Sequence, residues 1–531
     1  MVASLLRVVY GGIQDAEIIC QKGKPNIKFF IRVFIRPGRF TTQWIRLDFD
    51  TRPTLGNSAT ITLPRKGQLI SRLYLVTTMP DISTSQLAAQ KWCKDNRKIF
   101  AGPMFGWTNS VGHALLQQAT ITIGGTRVEQ IDGRLLEVLD DFTTPLEKVS
   151  LMDKLLPRRS TDFTPGRAEG FTRPPEPSAS SFGGDSITQA TTPLPFWFSC
   201  GDAGTFLPID AIQADPVVLN INFAALNTLY VSSAQVTPTS ANPVGGGAYY
   251  PLASSPFYYS DPNGVDISGL DGFPGHTTQV FVVPDITIPT AETLQILGDT
   301  YLMAEYIYLD RAEANRFRLA DIQVPILQHY AFEPVDSKSG NVVNCYLKIP
   351  NPTRNLYFYA QRYEAPFYNA RFLATRDLSG SDTFVTPWWP DASEIGTRVL
   401  NEIQPAFVFS DSEPIRSIEL IYSGSLYRYA TATPSVYRSL IPSLEQRKSP
   451  WVNRYYYNLP FAFQSGTLAP SQPCGEANLD KIVNINLKIG LKPFRGFQAA
   501  AAVPRVLIYA WAETYNIFRV YGGRAGMMFA Y

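Results

Sequence analysis

Three histidines, His113, His276 and His329, are all the imidazole the 531-residue chain offers for base or metal chemistry, and they are scattered. His113 stands in the apolar run Val111-Gly-His-Ala-Leu-Leu116, where a histidine satisfied within a core or turn is the expected state. The five cysteines, Cys20, Cys93, Cys200, Cys345 and Cys474, are odd in number, widely spaced and without a Cys-x-x-Cys pair. That pattern argues against a disulfide framework or zinc site and for a reducing compartment. The adjacent acids Asp140-Asp141 invite comparison with glycosidase carboxylates, but neighbours on a helix point in different directions, so a solvated helix end is expected. Phosphate-loop, nucleophile-elbow and His-Glu-x-x-His motifs are missing, and the glycine triplet Gly245-Gly-Gly247 reads as a loop tip. Tyr455-Tyr-Tyr457 and Trp388-Trp389 have the chemistry to stack on sugars or bases, yet packing in a core or subunit interface is the favoured reading. For the basic pair Arg158-Arg159, a partner-facing and a solvated role stay equally open. We therefore name no catalytic, cofactor-binding or metal-ligating residue, and expect no cofactor and no enzyme.

The elements that would carry these residues are strands. The chain is long enough for several cores, with 45% hydrophobic, 13% aromatic and only 17% charged residues, which suits a surface that meets other protein. Its 41 prolines and 37 glycines fall between short β-rich runs, as in sandwiches with many turns. A formal net charge of +2 with no basic block gives little support to direct nucleic-acid binding. No apolar run is long enough to cross a bilayer and no convincing signal peptide opens the chain, so synthesis and assembly are expected in the cytosol.

The organising stretch is Leu302-Met-Ala-Glu-Tyr-Ile-Tyr-Leu309, a strand pattern that runs into Asp310 as N-cap, with Glu313 at the capping-box position of a short helix ending before Pro325. It lies between two long strand-rich regions and reads as a hinge-like connector. Strands are expected at 44–49, 59–63, 72–76 and 119–123. The last of these stops at Gly124-Gly125, where positive φ is available. Residues 133–142 carry helical spacing.

Several of these stretches, in this order, resemble the double jelly-roll major capsid proteins of nucleocytoplasmic large DNA viruses. The most specific is Pro193-Leu-Pro-Phe-Trp-Phe-Ser-Cys200, followed by Leu207-Pro-Ile209. Others are Gly11-Gly-Ile-Gln-Asp15, Gly23-Lys-Pro-Asn-Ile-Lys-Phe-Phe30, Val111-Gly-His113, the aromatic strand Asn355-Leu-Tyr-Phe-Tyr-Ala-Gln361, Tyr515-Asn-Ile-Phe-Arg519 and Gly522-Gly-Arg-Ala-Gly526. Two departures are Gln68, where the family has an acid, and Gln472-Pro473, which replace a glycine step.

The resemblance implies an all-β fold of two tandem eight-stranded jelly-roll sandwiches. It places an N-terminal arm over 1–40 and a first jelly roll over 41–310, with insertions at about 150–193 and 234–276. A connector helix over 311–322 and a second jelly roll over 323–531 would follow. It further implies a major capsid protein that forms pseudo-hexagonal homotrimeric capsomers in an icosahedral virion, assembled in host cytoplasm. The implied partners are neighbouring capsomers, minor capsid and penton proteins and an inner membrane surface. A viral scaffold or minor capsid protein is the runner-up, and a carbohydrate-active two-domain β-sandwich enzyme the alternative of another class.

Overall fold

Alternating β-branched and aromatic residues become strands wherever one side chain in two can reach a core. The computed structural model describes residues 39–80, 105–108, 110–157, 189–232, 297–338, 340–363, 371–372, 374, 413–424, 426–450, 454–466, 474–492, 503 and 505–529. Almost all of these belong to one unit, Thr41–Tyr531. In chain order the first half has β1 (Phe40–Asp48), β2 (Ser58–Thr62), β3 (Leu69–Thr78), β4 (Phe105–Trp107), β5 (Leu116–Ile123), β6 (Thr126–Ile131), β7 (Gln189–Pro193), β8 (Val217–Phe223), β9 (Tyr230–Ser232) and β10 (Thr300–Leu309). The second half has β11 (Ile322–Ala331), β12 (Val335–Asp336), β13 (Val342–Leu347), β14 (Thr353–Arg362), β15 (Ile415–Tyr422), β16 (Leu426–Ala432), β17 (Tyr456–Pro460), β18 (Ile485–Leu491), β19 (Val506–Tyr521) and β20 (Arg524–Met527). The helices are α1 (Val111–Ala114), α2 (Gly133–Thr143), α3 (Val149–Leu155), α4 (Arg311–Leu319) and α5 (Ile441–Glu445), the last continuing a π-helical stretch over Val436–Leu440.

Both halves build the same sandwich. In the first, one sheet runs β1-β10-β3-β7 and the other β2-β8-β5-β6; in the second, β11-β19-β14-β17 faces β13-β18-β15-β16. Counting the eight sandwich strands of each half from its start, the order is first, eighth, third, sixth in one sheet and second, seventh, fourth, fifth in the other. Described pairings are antiparallel, and the arrangement is a jelly roll made twice. The expected all-β double jelly roll is therefore the observed architecture. In β8 the burial alternates residue by residue, with Val217, Leu219, Ile221 and Phe223 inward, so one sheet face is core and the other is wetter. Between β5 and β6, Gly124 and Gly125 both take positive φ, the backbone of a two-residue hairpin turn that twists with its strands. Pro325 is accommodated because β11 lies at the sheet edge, where a missing N–H need not interrupt a ladder.

Some expected boundaries move. The stretch 150–193 is not structureless throughout, since α3 occupies its start and β7 its end. The connector helix is shorter than 311–322: it ends at Leu319, and Ile322 already begins β11. Its N-cap is Asp310, whose Oδ1 accepts the Arg311 N–H at 2.8 Å. Most of the arm over 1–40 and the stretch 234–276 lie outside the described residues, as do His276, Cys20, Cys93, Arg158-Arg159, Gly245-Gly-Gly247 and Trp388-Trp389.

One glycine is dictated by a close approach. A Cβ on Gly133 would stand 2.1 Å from the His113 carbonyl oxygen and 2.7 Å from that of Leu116, both backbone atoms that cannot swing aside. We predict that Gly133→Ala lowers unfolding stability by about 2–3 kcal/mol, the cost of forcing extra volume into a packed site. An unchanged urea midpoint would show that α2 can retreat from α1 freely.

Candidate functional site: a charged seam between the sandwiches

The outer face of the β11-β19-β14-β17 sheet is not solvent-facing. Residues 353–361 of β14 are buried along both strand faces, which requires a second layer outside the sheet. That layer is α2 of the first sandwich. Phe142 packs on Tyr357 with ring centroids 5.5 Å apart, and the Arg134 guanidinium lies 4.4 Å over the Tyr509 ring. Asp132 serves both sandwiches: Oδ1 accepts the Leu135 N–H at 2.7 Å and caps α2, while Oδ2 accepts the Trp511 indole N–H at 3.2 Å. Burial pushes the Asp132 carboxyl pKa up, against the downward pull of these two donors.

Charge crosses the same boundary. Glu137, 0% exposed, accepts the Ser110 hydroxyl at 3.1 Å, lies 2.5 Å from His113 Nδ1 and accepts a hydrogen bond from Arg454 Nη1 of the second sandwich. One turn later, Asp141 is paired with Lys448 at 3.3 Å, both buried. The expectation of a solvated helix end at Asp140-Asp141 is thus overturned. Asp140 takes the Thr144 hydroxyl, and Asp141 points into the seam because a cation from the other sandwich stands there to receive it.

A second polar cluster lies at the far side of the seam. Glu129 Oε2 accepts the Trp197 backbone N–H at 3.0 Å, and its Oε1 stands 3.3 Å from His329 Nδ1 on β11. The other nitrogen of His329 faces Glu513 of β19 at 3.9 Å, and Glu513 also accepts from Asn355 Nδ2 at 2.5 Å. Burial alone presses the His329 imidazolium pKa down; the Glu129 bond and the charges of Glu129, Glu513 and Asp132 outweigh it, and the net shift is upward. Gln328 beside it donates to the Val128 carbonyl at 2.6 Å and accepts from Asn516 at 2.8 Å. Trp197 packs edge-on against Phe198 at 5.0 Å and tilts onto Phe518 of β19 at 5.4 Å. The Phe-Trp-Phe stretch is therefore a wedge between sandwiches.

The connector expected at 302–320 is strand β10 followed by α4. Helix α4 is the covalent link and is tied back by Arg318 on Asp210 at 2.7 Å, and the seam joins the two sandwiches a second time without covalent bonds. His113 is buried against Glu137, as its apolar run led us to expect, and Tyr455, Tyr456 and Tyr457 are core residues. The structure does not bring His113 and His329 together, and among the described residues no cluster of three or more metal-ligating side chains occurs. Cys200, Cys345 and Cys474 are free thiols, and burial in β13 pushes the Cys345 pKa up to about 12. Glu129, Glu137, Lys448, Arg454 and Glu513 were not singled out from sequence. The one available signal was their position beside apolar neighbours in strand or helix patterns.

A model of the major capsid protein N-terminus matches residues 28–254, and a model of the large eukaryotic DNA virus major capsid protein matches residues 318–526. The chain belongs to the major capsid protein family of large eukaryotic DNA viruses. It is 24% identical over 232 residues to probable capsid protein 4 of Acanthamoeba polyphaga mimivirus, a match that takes in 43% of this chain and 39% of that relative. The major capsid protein of Phaeocystis pouchetii virus matches at 21% identity over 100% of both chains. The fold is similar to that of PBCV-1 VP54, with a TM-score of 0.62, 16% identity, and coverage of 95% of this chain and 100% of that one. Capsid relatives of this kind are structural proteins and not enzymes.

Two predictions follow from the seam of this capsid-family chain. Arg454→Met leaves Glu137 charged and buried without its cation and is expected to cost about 3–5 kcal/mol, most of it recovered when Glu137→Gln is added. Chemical denaturation of both variants checks this, and equal midpoints for the wild type and Arg454→Met would rule the pair out as a fastener. Because the folded pKa of His329 lies above its ordinary 6.5, its stabilising contribution is complete below pH 6.5 and is lost as pH rises through the folded value. Thermal melts should show Tm falling across that window in the wild type and a flatter profile in His329→Gln.

Proposed function

We propose that this chain is the building block of an icosahedral viral shell, three copies closing into a pseudo-hexagonal capsomer. The observation that carries the reading is the pair of sandwiches with identical strand order joined by a buried seam. A ring of three such chains presents six nearly equivalent lobes, so a three-fold particle fills a hexagonal lattice without a true six-fold axis. Two lobes free to swing would not present a constant outline, and the seam supports this function by fixing their angle.

In this reading residues 41–310 and 323–531 are the two lobes. The insertions at about 150–193 and 234–276 face outward, and the arm over 1–40 faces minor capsid and penton proteins or an inner membrane. Assembly takes place in host cytoplasm. The fold itself supplies partner surface rather than chemistry. Leu146, Leu151, Tyr346, Leu426 and Phe463 are exposed on the single chain.

Light scattering coupled to size-exclusion chromatography of the full chain tests the assembly state. A stable species near three times 59.1 kDa is expected. A monodisperse 59.1 kDa monomer at the highest attainable concentration would reject the capsomer.

A further inference from the structure

One corner of the seam is rich in hydrogen-bond donors and poor in acceptors. At the start of α2, Arg134 lays its guanidinium 4.4 Å over the Tyr509 ring of β19, and its buried Nε has no acceptor among the described residues. A second guanidinium stands at the same corner. Arg371, which follows β14 in the second sandwich, reaches back to the first and donates from Nη1 to the Ala114 carbonyl at the end of α1, 3.2 Å away. Its own carbonyl accepts the Gln361 side-chain N–H at 2.7 Å, and the carbonyl of Phe372 accepts the Tyr456 hydroxyl at 2.8 Å. The backbone that presents Arg371 is therefore held from both β14 and β17. Beneath the two arginines Tyr359 stacks on Tyr509 at 5.3 Å, and its hydroxyl, 1% exposed with the residue, faces Arg134 outside hydrogen-bond geometry.

The charges at this corner do not balance. Elsewhere along the seam a cation of one sandwich meets a carboxylate of the other, Arg454 with Glu137 and Lys448 with Asp141. Among the described residues neither Arg134 nor Arg371 is in such a pair. The acid beside them is Asp132, and its two oxygens already accept the Leu135 N–H and the Trp511 indole N–H. Burial, with the charge of Arg134 added to it, lowers the Arg371 pKa to about 10, the direction that like charges held together produce. The N-terminal end of the 11-residue helix α2 adds further positive potential. Both arginines are only partly buried, so an ion from solution can reach them, while the tyrosine under them is dry.

We propose that Arg134, Arg371 and the Tyr359 hydroxyl bind a phosphate group at the seam. A tetrahedral oxyanion has enough acceptor oxygens to take both guanidinium forks and the hydroxyl at once, which a single carboxylate does not. Because Arg134 belongs to the first sandwich and Arg371 to the second, the bound anion is a removable cross-brace between them. It supplies the counter-charge that the protein provides at Glu137 and Asp141 but not here. The same chemistry is offered by free inorganic phosphate and by a phosphate carried on a nucleotide.

Thermal melts of the full chain test the proposal, with inorganic phosphate titrated against sodium chloride at matched ionic strength. Phosphate is expected to raise Tm saturably and chloride is not. Arg134→Gln and Arg371→Gln should each raise the half-saturating phosphate concentration about tenfold or more, the loss of charge-assisted hydrogen bonds from one fork. A phosphate response equal in the wild type and both variants is a bulk salt effect and overturns the proposal, as does a wild-type response no different from that to chloride. ATP in place of phosphate separates the two sources: half-saturation at about tenfold lower concentration assigns a phosphate carried on a nucleotide, and equal or weaker binding assigns the free oxyanion. Should a variant fail to fold, the wild type decides by peptide mapping after phenylglyoxal treatment. Protection of Arg134 and Arg371 by phosphate supports the site, and equal modification in phosphate and chloride overturns it.

Discussion

The structure depends on the burial of one sheet face by a helix from another sandwich. A jelly roll in isolation buries one face of each sheet and wets the other, but here the aromatic layer of Tyr357, Tyr359 and Trp511 has no contact with water because α2 lies across it. That helix brings carboxylates with it, and a carboxylate in such a place is tolerable only beside a cation or several donors. Arg454 and Lys448 supply the cations, and Ser110 with the Leu135 and Trp511 N–H groups supplies donors. Neither sandwich is therefore complete in its electrostatics without the other, although each has its own hydrocarbon interior.

Much of the architecture was legible in the amino-acid sequence. Alternation in Val217–Phe223 reports a sheet with one wet face, the glycine pair after Ile123 reports a tight hairpin, and Asp310 reports the start of the linking helix. The unbroken aromatic stretch in β14 carried a further message, that both of its faces are covered, but without saying by what. What stayed illegible is pairing at long range. Asp141 looks like a solvent acid until Lys448 is placed beside it, and Glu137 and Arg454 lie 317 residues apart. Periodicity describes a residue's own element. It is silent about a charge delivered from a different sandwich.

The division of chemistry between contacts fits the work of a shell protein. Inside the chain, ion pairs sealed from water fix register and angle, because a buried charge tolerates little displacement from its partner. On the outside, the ion pairs are exposed to solvent, as Arg46 with Asp48 and Asp299 shows, and such pairs hold little. Family membership and the repeated strand order then describe one object at two scales: a chain and a pair of sandwiches.

The long strand β19 also imposes a schedule on synthesis. Val506–Tyr521 pairs with β11, β12, β14 and β20, so it is the common neighbour of nearly its whole sheet and the last long strand to emerge. The first sandwich can close once β10 ends at Leu309, whereas β11, beginning at Ile322, waits for β19 to be made. At ribosomal speeds of about 5–20 residues per second that wait lasts roughly 10–40 s. Throughout it, strand edges of the second half and the charged face of α2 are open to any passing chain. Whatever shelters β11 during those seconds protects the second sandwich from pairing with the wrong edge.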